Sequence, residues 1–169
     1  MKAKTNVVIE SAAEADFSAI QQIYAHYIRT STISLEETPP SVEEMKARWA
    51  NSVARGLAYL VAKIDGEVVG YAYAFPYRAR SGYRFTVEES VYVSKDHQGF
   101  GVGYKLLLAL MEDCKQKGYR QMLAVIAGSD NSASIKFHEN LGFTHSGVLK
   151  NFGFKFNKWI DTLLMQKEL

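Results

Sequence analysis

Val91-Tyr-Val-Ser94 passes through a short polar link into Gln98-Gly-Phe-Gly-Val-Gly103, after which Leu106, Leu107, Leu110 and Cys114 carry a helical stripe to a stop at Gly118. A strand that ends in a glycine-spaced turn and launches a helix places several backbone N–H groups, clear of side chains, at the positive end of the helix dipole. Such an elbow suits a phosphate, although glycines at this spacing also serve as nothing more than a tight turn. Two common nucleotide motifs do not match. A Walker loop needs G-x-x-x-x-G-K-[ST], and a dinucleotide fingerprint needs glycine where Tyr104 or Leu106 stands, with an acid roughly 20 residues further on.

Upstream of the elbow, residues 85–93 have strand character, preceded by a loop over residues 76–84 that carries Arg78, Arg80 and Arg84. Before that loop, strands are predicted over residues 57–64 and 67–75, joined by Asp65-Gly66, a dipeptide that tolerates the positive φ angles of a two-residue hairpin turn. A short β-branched run, Val7 to Ile9, can open the sheet, and Asp16 stands as N-cap before Ile20, Ile23, Tyr24, Tyr27 and Ile28 at helical spacing. Thr38-Pro-Pro40 breaks the chain, and Ser41 with Glu44 forms a capping box ahead of Val42, Met45, Trp49 and Val53 on one helical face. Downstream, the pattern predicts a buried strand over residues 122–127, a helix over 131–141 closed by Gly142, and strands over 143–149 and 158–167. The order β, α, α, β, β, β, α, β, α, β, β is mixed α/β in one domain over residues 1–169, with seven strands, four helices and no repeat or linker.

Composition narrows the function classes. Twenty Lys and Arg against 18 Asp and Glu leave a net charge of +2, far from the basic excess of a dedicated nucleic-acid binder. One Cys excludes an intramolecular disulfide framework and fits a reducing cytoplasm. The start, Met1-Lys-Ala-Lys-Thr-Asn-Val-Val-Ile-Glu10, lacks the apolar core of a signal peptide, and no stretch approaches the roughly 18 apolar residues of a membrane span. A soluble, cytoplasmic protein without nucleic-acid or membrane partners is expected.

Gln98-x-x-Gly101-x-Gly103 behind Val91-Tyr-Val-Ser94 resembles the pyrophosphate-binding signature of the GNAT superfamily of acetyl-CoA-dependent N-acetyltransferases. Asn131, Ser134 and His138-Glu-Asn-Leu-Gly-Phe143 are similar to that superfamily's second cofactor-side segment, N-x-x-[AS]-x-x-x-[YH]-x-x-x-G-F. The Glu36-Glu-Thr-Pro39 loop, the strand Thr86-Val-Glu-Glu-Ser-Val-Tyr-Val-Ser94 and the tail Gly153-Phe-Lys-Phe-Asn-Lys-Trp159 resemble its phosphinothricin and methionine sulfoximine acetyltransferase branch, so the likeness spans nearly the whole chain. The resemblance implies a GNAT fold whose central strands, 85–93 and 122–127, splay apart around the pantetheine arm of acetyl-CoA. Main-chain groups of Val91, Tyr92 and Val93 would meet that arm like an added strand, Gln98, Gly99, Phe100, Gly101, Val102, Gly103 and Tyr104 would hold the pyrophosphate, and Asn131 and Ser134 would complete the cofactor side. Backbone donors can hold such an anion without a large positive net charge.

Amide formation needs a neutral amine, because an α-ammonium near pKa 8 has no lone pair with which to attack a thioester. Glu88 and Glu89 lie on opposite faces of a regular strand, so one of them faces the cleft unless a bulge intervenes, and parity alone does not choose. Both also read as solvated edge charges. The family pattern T-V-E-x-[ST]-V-Y-V aligns Glu88 with the carboxylate thought to act as base, directly or through water. His138 stands where many superfamily members carry a tyrosine close to the thioester sulfur; the resemblance implies that it protonates the leaving thiolate, which imidazole chemistry suits, while a lone histidine on a short helix also has a structural reading. His26, His97 and His145 show no metal-ligand spacing, so no metal is expected. Cys114 falls on the apolar stripe of its helix and reads as a buried structural thiol, which favours direct transfer over an acyl-enzyme.

On the acceptor side, Arg78, Arg80 and Arg84 precede the Glu88 strand, and arginine can grip a carboxylate or phosphinate through two parallel hydrogen bonds. The branch's R-S-x-[FY]-R-type loop implies substrate contact at Arg80, Ser81 and Gly82, although Arg80-Ser-Gly-Tyr83-Arg84 departs slightly from it. Tyr24, Tyr27 and Glu36 could wall the same pocket, and Phe152, Phe154 and Phe156 with Trp159 could cover the cleft or a contact in the homodimer that the family commonly forms. The leading expectation is an N-acetyltransferase for a small anionic amino-acid-like amine; a GNAT enzyme for another amine or a protein N-terminus, and a non-catalytic acetyl-CoA sensor, are the alternatives.

Overall fold

The computed structural model describes residues 6–169; the first five residues of the amino-terminal segment lie outside the described residues. Seven strands form one sheet in the order β1-β2-β3-β4-β5-β7-β6. They are β1 (Val8–Ser11), β2 (Tyr59–Ile64), β3 (Glu67–Pro76), β4 (Thr86–Val93), β5 (Gln121–Ala127), β6 (Thr144–Lys155) and β7 (Lys158–Glu168). Helices α1 (Phe17–Thr30) and α2 (Val42–Ala54) cover one face, and α3 (Val102–Gln116) and α4 (Ser132–Asn140) belong to the other. All pairings are antiparallel except β4 with β5, which is reached by the α3 crossover.

Each face has its own core. Phe17, Ile20, Tyr24, Tyr27 and Ile28 of α1 pack with Met45, Tyr59, Val61 and Tyr71. On the opposite face Leu106, Leu107, Leu110 and Cys114 of α3 pack on Val87, Met122, Ala124 and Met165. The alternation of β4 feeds both cores: Val87, Val91 and Val93 go with α3, while Tyr92 goes with α1.

Local departures from the sequence expectations have physical causes. Asp16 occupies the N-cap position of α1 without a side-chain cap; its carboxylate instead accepts from the Ala13 amide at 2.8 Å and pairs with Lys63 at 3.0 Å. Ser41 does cap α2, accepting from the Glu44 amide at 3.1 Å, but the Glu44 carboxylate turns to Arg48 at 2.6 Å. The Asp65-Gly66 hairpin forms with φ of 50° and 85°. β6 runs well past residue 149, because the register shifts between Leu149 and Gly153 and Asn151, at φ 50°, gives its amide to Asp161 at 2.9 Å. An irregularity of that kind hides a strand from a period-two reading. At the far end of this hairpin Lys155 is buried and donates to the Ser34 carbonyl at 2.6 Å, which pins the α1–α2 loop.

Candidate active site

β4 and β5 pair only over Thr86↔Gln121, Val87↔Met122 and Glu88↔Leu123, and beyond Glu88 they diverge. The gap opens into a cleft of about 540 Å³, within the range of small-molecule sites. The Ser94 amide bonds the Val69 carbonyl and the Thr86 carbonyl accepts from Tyr77, so the even-numbered residues of β4 turn their main chain toward β3. By alternation Glu89, Val91 and Val93 direct theirs to the open edge. The Val93 carbonyl accepts from the Tyr27 hydroxyl, whose oxygen also lies 2.7 Å from the Gln98 amide nitrogen, so Gln98 ties the elbow to α1.

The elbow has the conformation that its glycines permit. Gly99 and Gly101 sit at φ 78° and 76°, in the left-handed region, and Gly101 is the residue from which α3 starts. The first helical bond runs from the Lys105 amide to the Gly101 carbonyl at 3.1 Å. The amides of Val102, Gly103 and Tyr104 therefore precede the helical ladder and open at the positive end of the dipole. Of the residues expected on the cofactor side, Val91, Tyr92, Val93, Gln98, Gly99, Gly101, Val102, Gly103, Tyr104, Asn131 and Ser134 all line the cleft. Phe100 does not line it and is about half exposed. Asn131 caps α4, its side-chain oxygen accepting from the Ser134 amide at 3.2 Å. A free strand edge leading to uncovered helix amides fits a ligand with an amide-bearing arm and a diphosphate, the two parts that acetyl-CoA presents.

His138 lines the same cleft and is buried, held between the Phe137 and Phe143 rings. Its Nδ1 lies 2.8 Å from the Ser134 carbonyl and its Nε2 lies 2.8 Å from Oε1 of Glu89. A carbonyl can only accept, so Nδ1 carries a proton. Burial works against the imidazolium, but the Glu89 carboxylate and the Ser134 carbonyl outweigh it and hold the His138 pKa above the ordinary histidine value. Glu89 is 6% exposed, and its Oε2 is buried with no hydrogen-bond partner among the described residues. The sequence raised Glu89 only as the parity partner of Glu88; no local signal tied it to a residue 49 positions away.

Glu88 lies on the other face of β4, with Tyr92, and is not part of the cleft lining. The β3–β4 register is unbroken from Gly70↔Val93 to Pro76↔Val87, so no bulge brings the two glutamates to one side. Burial, reinforced by the negative charge of Glu89 and opposed by Arg78, pushes the Glu88 carboxyl up to about 7. Glu36 faces the same side of the sheet. It accepts from the Tyr24 hydroxyl at 2.9 Å and pairs with Arg48 at 2.6 Å, while Tyr24 packs edge-on against Tyr92. Arg48 was not anticipated from the sequence; its place beside Glu36 depends on how α2 docks.

The arginine loop is not gathered into the cleft. Arg80, Ser81 and Gly82 are exposed, and Arg84 stacks on Phe85 and donates to the Ser81 carbonyl. Arg78 lines a separate depression with Asn51, Arg55 and Phe75, yet its charge reaches Glu88. Cys114 is buried in the α3 core, outside the cleft lining, and burial pushes its thiol up to about 12. Among the described residues no cluster of three or more His, Cys, Asp or Glu could hold a metal, and no helix is long and apolar enough to cross a membrane.

Comparison with known proteins agrees with this geometry. A family model described as an acetyltransferase (GNAT) domain matches residues 9–164. The chain is 49% identical over 167 residues to a phosphinothricin N-acetyltransferase of Alcaligenes faecalis, covering 99% of this chain and 85% of that protein. It is 40% identical over 162 residues to an L-methionine sulfoximine/L-methionine sulfone acetyltransferase of Pseudomonas aeruginosa, covering 95% of this chain and 94% of that one. The crystal structure of a GNAT superfamily phosphinothricin acetyltransferase from Sinorhizobium meliloti, in complex with acetyl-CoA, superposes with a TM-score of 0.93 at 41% identity, over 96% of this chain and 88% of that chain.

Proposed function

The chain belongs to the GNAT acetyltransferase family and is an acetyl-CoA-dependent N-acetyltransferase; on that premise we propose that it acetylates the amino group of a small anionic amino-acid-like substrate of the phosphinothricin or methionine sulfoximine type, by direct attack. The observation that carries the reading is the splay of β4 from β5, which leaves a free main-chain edge on one side of the strand and a carboxyl poised near neutral pH on the other. The amides of Val102, Gly103 and Tyr104 would hold the diphosphate and the edge at Val91 and Val93 the pantetheine arm, which together present the acetyl group at the cleft.

Glu88 is the base in this scheme. A carboxyl that titrates near 7 is substantially deprotonated at neutral pH and still basic enough to take a proton from an ammonium. On the cofactor side, the proton needed by the departing thiolate returns through the buried pair that contains His138. Glu36, with Arg78 and the Arg80-Ser81-Gly82 loop, supplies the charges that receive an anionic amino acid. The relatives' names and the positive field of Arg78 at Glu88 support that choice. The buried, high-pKa Cys114 supports direct transfer. Exposed aromatics on the β6–β7 hairpin, Phe152 and Trp159 at 67% and 66%, support association as a homodimer.

Free-CoA release measured against phosphinothricin, methionine sulfoximine, methionine sulfone, polyamines and peptides tests the reading. Turnover should be confined to the first three. Preference for peptides or polyamines would replace the substrate class, and acetyl-CoA binding without turnover on any amine would point to a sensor.

A further inference from the structure

An ammonium acceptor that becomes an amide sheds two protons, whereas the departing thiolate takes up one. One proton must leave for solvent and the other must travel from nitrogen to sulfur. Each step needs its own group, and β4 supplies two adjacent carboxylates, Glu88 and Glu89, on its two faces. Glu89 is also the first residue of β4 beyond the last pairing with β5, so it stands at the apex of the splay, where a chain laid along Val93 and Val91 would end.

His138 is poorly placed to serve the sulfur itself. Both of its ring nitrogens are occupied, Nδ1 by the Ser134 carbonyl and Nε2 by Glu89 Oε1, each at 2.8 Å. The uncommitted heteroatom of the pair is Glu89 Oε2, buried and without a hydrogen-bond partner among the described residues, on a residue that lines the cleft. An orphaned buried carboxylate oxygen is costly to maintain, which makes it a marker of function.

We infer that Glu89 is the group that carries the proton from the acceptor nitrogen to the leaving sulfur, and that His138 is its positioning partner. This inference rests on the proposed acetyl transfer. After Glu88 has taken the first ammonium proton and passed it to water, the nitrogen lone pair forms the N–C bond and the C–S bond pair goes to sulfur. The remaining surplus N–H breaks toward Glu89 Oε2, and the resulting carboxyl O–H breaks toward the thiolate to give S–H. Glu89 ends as it began. His138 stays an imidazolium throughout, balances the charge of the Glu89 carboxylate before and after the transfer, and fixes that carboxylate by one short hydrogen bond.

The experiment uses the full-length enzyme and Glu89→Gln, which preserves shape. Acetyl-CoA affinity is first measured by calorimetry; failure of the unaltered enzyme to bind would remove the proposed function itself, whatever the variants do. Positioned proton transfer contributes about 10²–10⁴-fold, so Glu89→Gln should lower kcat about 100-fold with acetyl-CoA while its KM moves less than about threefold. With the acetyl thioester of a nitrothiophenol, whose leaving group needs no proton, the surplus nitrogen proton can leave to water once the C–S bond has broken, and the loss should shrink at least about tenfold. Nitrogen NMR of the free enzyme at pH 7.5 should show His138 protonated on both nitrogens, and on one only in Glu89→Gln. Should that variant not fold, His138→Asn, which leaves Glu89 without its cation, carries the same donor comparison. A kcat within about twofold of the unaltered enzyme, an equal loss with both donors, or an unchanged His138 spectrum would overturn the assignment.

Discussion

On the α3 and α4 side of β4 the proposed cofactor cradle is made of main chain: the amides that follow Gly101 and the open edge at Val91 and Val93. On the α1 and α2 side the proposed acceptor wall is made of side chains, with Glu88, Tyr92, Tyr24, Glu36 and Arg48 drawn from a strand, two helices and a loop. The first wall is rigid because helix and sheet ladders already fix its donors. The second depends on docking, and its charges are set by neighbours: Glu36 is held below the usual carboxylate range, since Arg48 and Tyr24 outweigh its burial, while Glu88 is pushed up to about 7 by burial and Glu89. One strand thus separates open main-chain donors from a pair of carboxyls tuned in opposite directions.

The largest expected break is on the main-chain wall. At Gly101, φ 76° costs an L-residue roughly 1–2 kcal/mol, and a glutamate there would also bring a carboxylate to the dipole end meant for the diphosphate. Gly101→Glu should weaken acetyl-CoA at least about 100-fold, near 3 kcal/mol, in a calorimetric titration, without loss of α-helical signal. Unchanged affinity would place the diphosphate elsewhere.

Glu88→Gln breaks the other wall and should leave acetyl-CoA affinity alone. Its kcat/KM should fall about 100-fold, and the rise of activity with pH through about 7, where the unaltered carboxyl ionises, should vanish. Stability gives the same residue a second signature. The folded carboxyl holds its proton up to about 7, whereas an ordinary glutamate loses it near 4.5, so the native enzyme loses stability as pH climbs through that window. Glutamine carries no such penalty. Glu88→Gln should therefore melt about 2–4 °C higher at pH 8 and show no advantage at pH 4. An inactive variant with no gain at pH 8 would mean that Glu88 is not held protonated by burial.

The contrast between the walls explains what the sequence disclosed. Glycines that must sit at positive φ, and the helix they start, leave a local trace, so the elbow could be read from Gln98 to Gly103 alone, whereas the splayed strands and the cleft-lining residues Val91 to Val93, Asn131 and Ser134 rest on the family resemblance of their segments. Side-chain pairings across the fold leave none. Parity puts Glu88 and Glu89 on opposite faces but does not say which face carries which helix, and only the docking of α4 reveals that Glu89 meets His138. The loop arginines fall between these cases: cations close in sequence to β4 invite a substrate role, and in the fold Arg80 is exposed outside the cleft while Arg78 acts on Glu88 through its field.

That field supplies a smaller test. The guanidinium of Arg78 favours the ionised form of Glu88, so its removal raises the Glu88 pKa further. In Arg78→Ala the acidic limb of kcat/KM should move to higher pH by about half a unit, on top of the pH-independent loss that follows from removing a substrate-receiving charge. A loss with no shift of the acidic limb would mean that Arg78 does not act on Glu88.

The smallest effect is expected at Cys114, which belongs to neither wall. A thiol could carry the acetyl group only as thiolate, and only if the cleft reached it; burial in the α3 core pushes it up to about 12, and it shares that core with Leu107 and Leu110. Cys114→Ala should keep kcat within about twofold and cost about 1 kcal/mol of stability through the small void it leaves, visible as a fall in Tm of about 2–4 °C. A folded variant without turnover would overturn direct transfer, because no other described residue offers a thiol to hold the acetyl group between donor and acceptor.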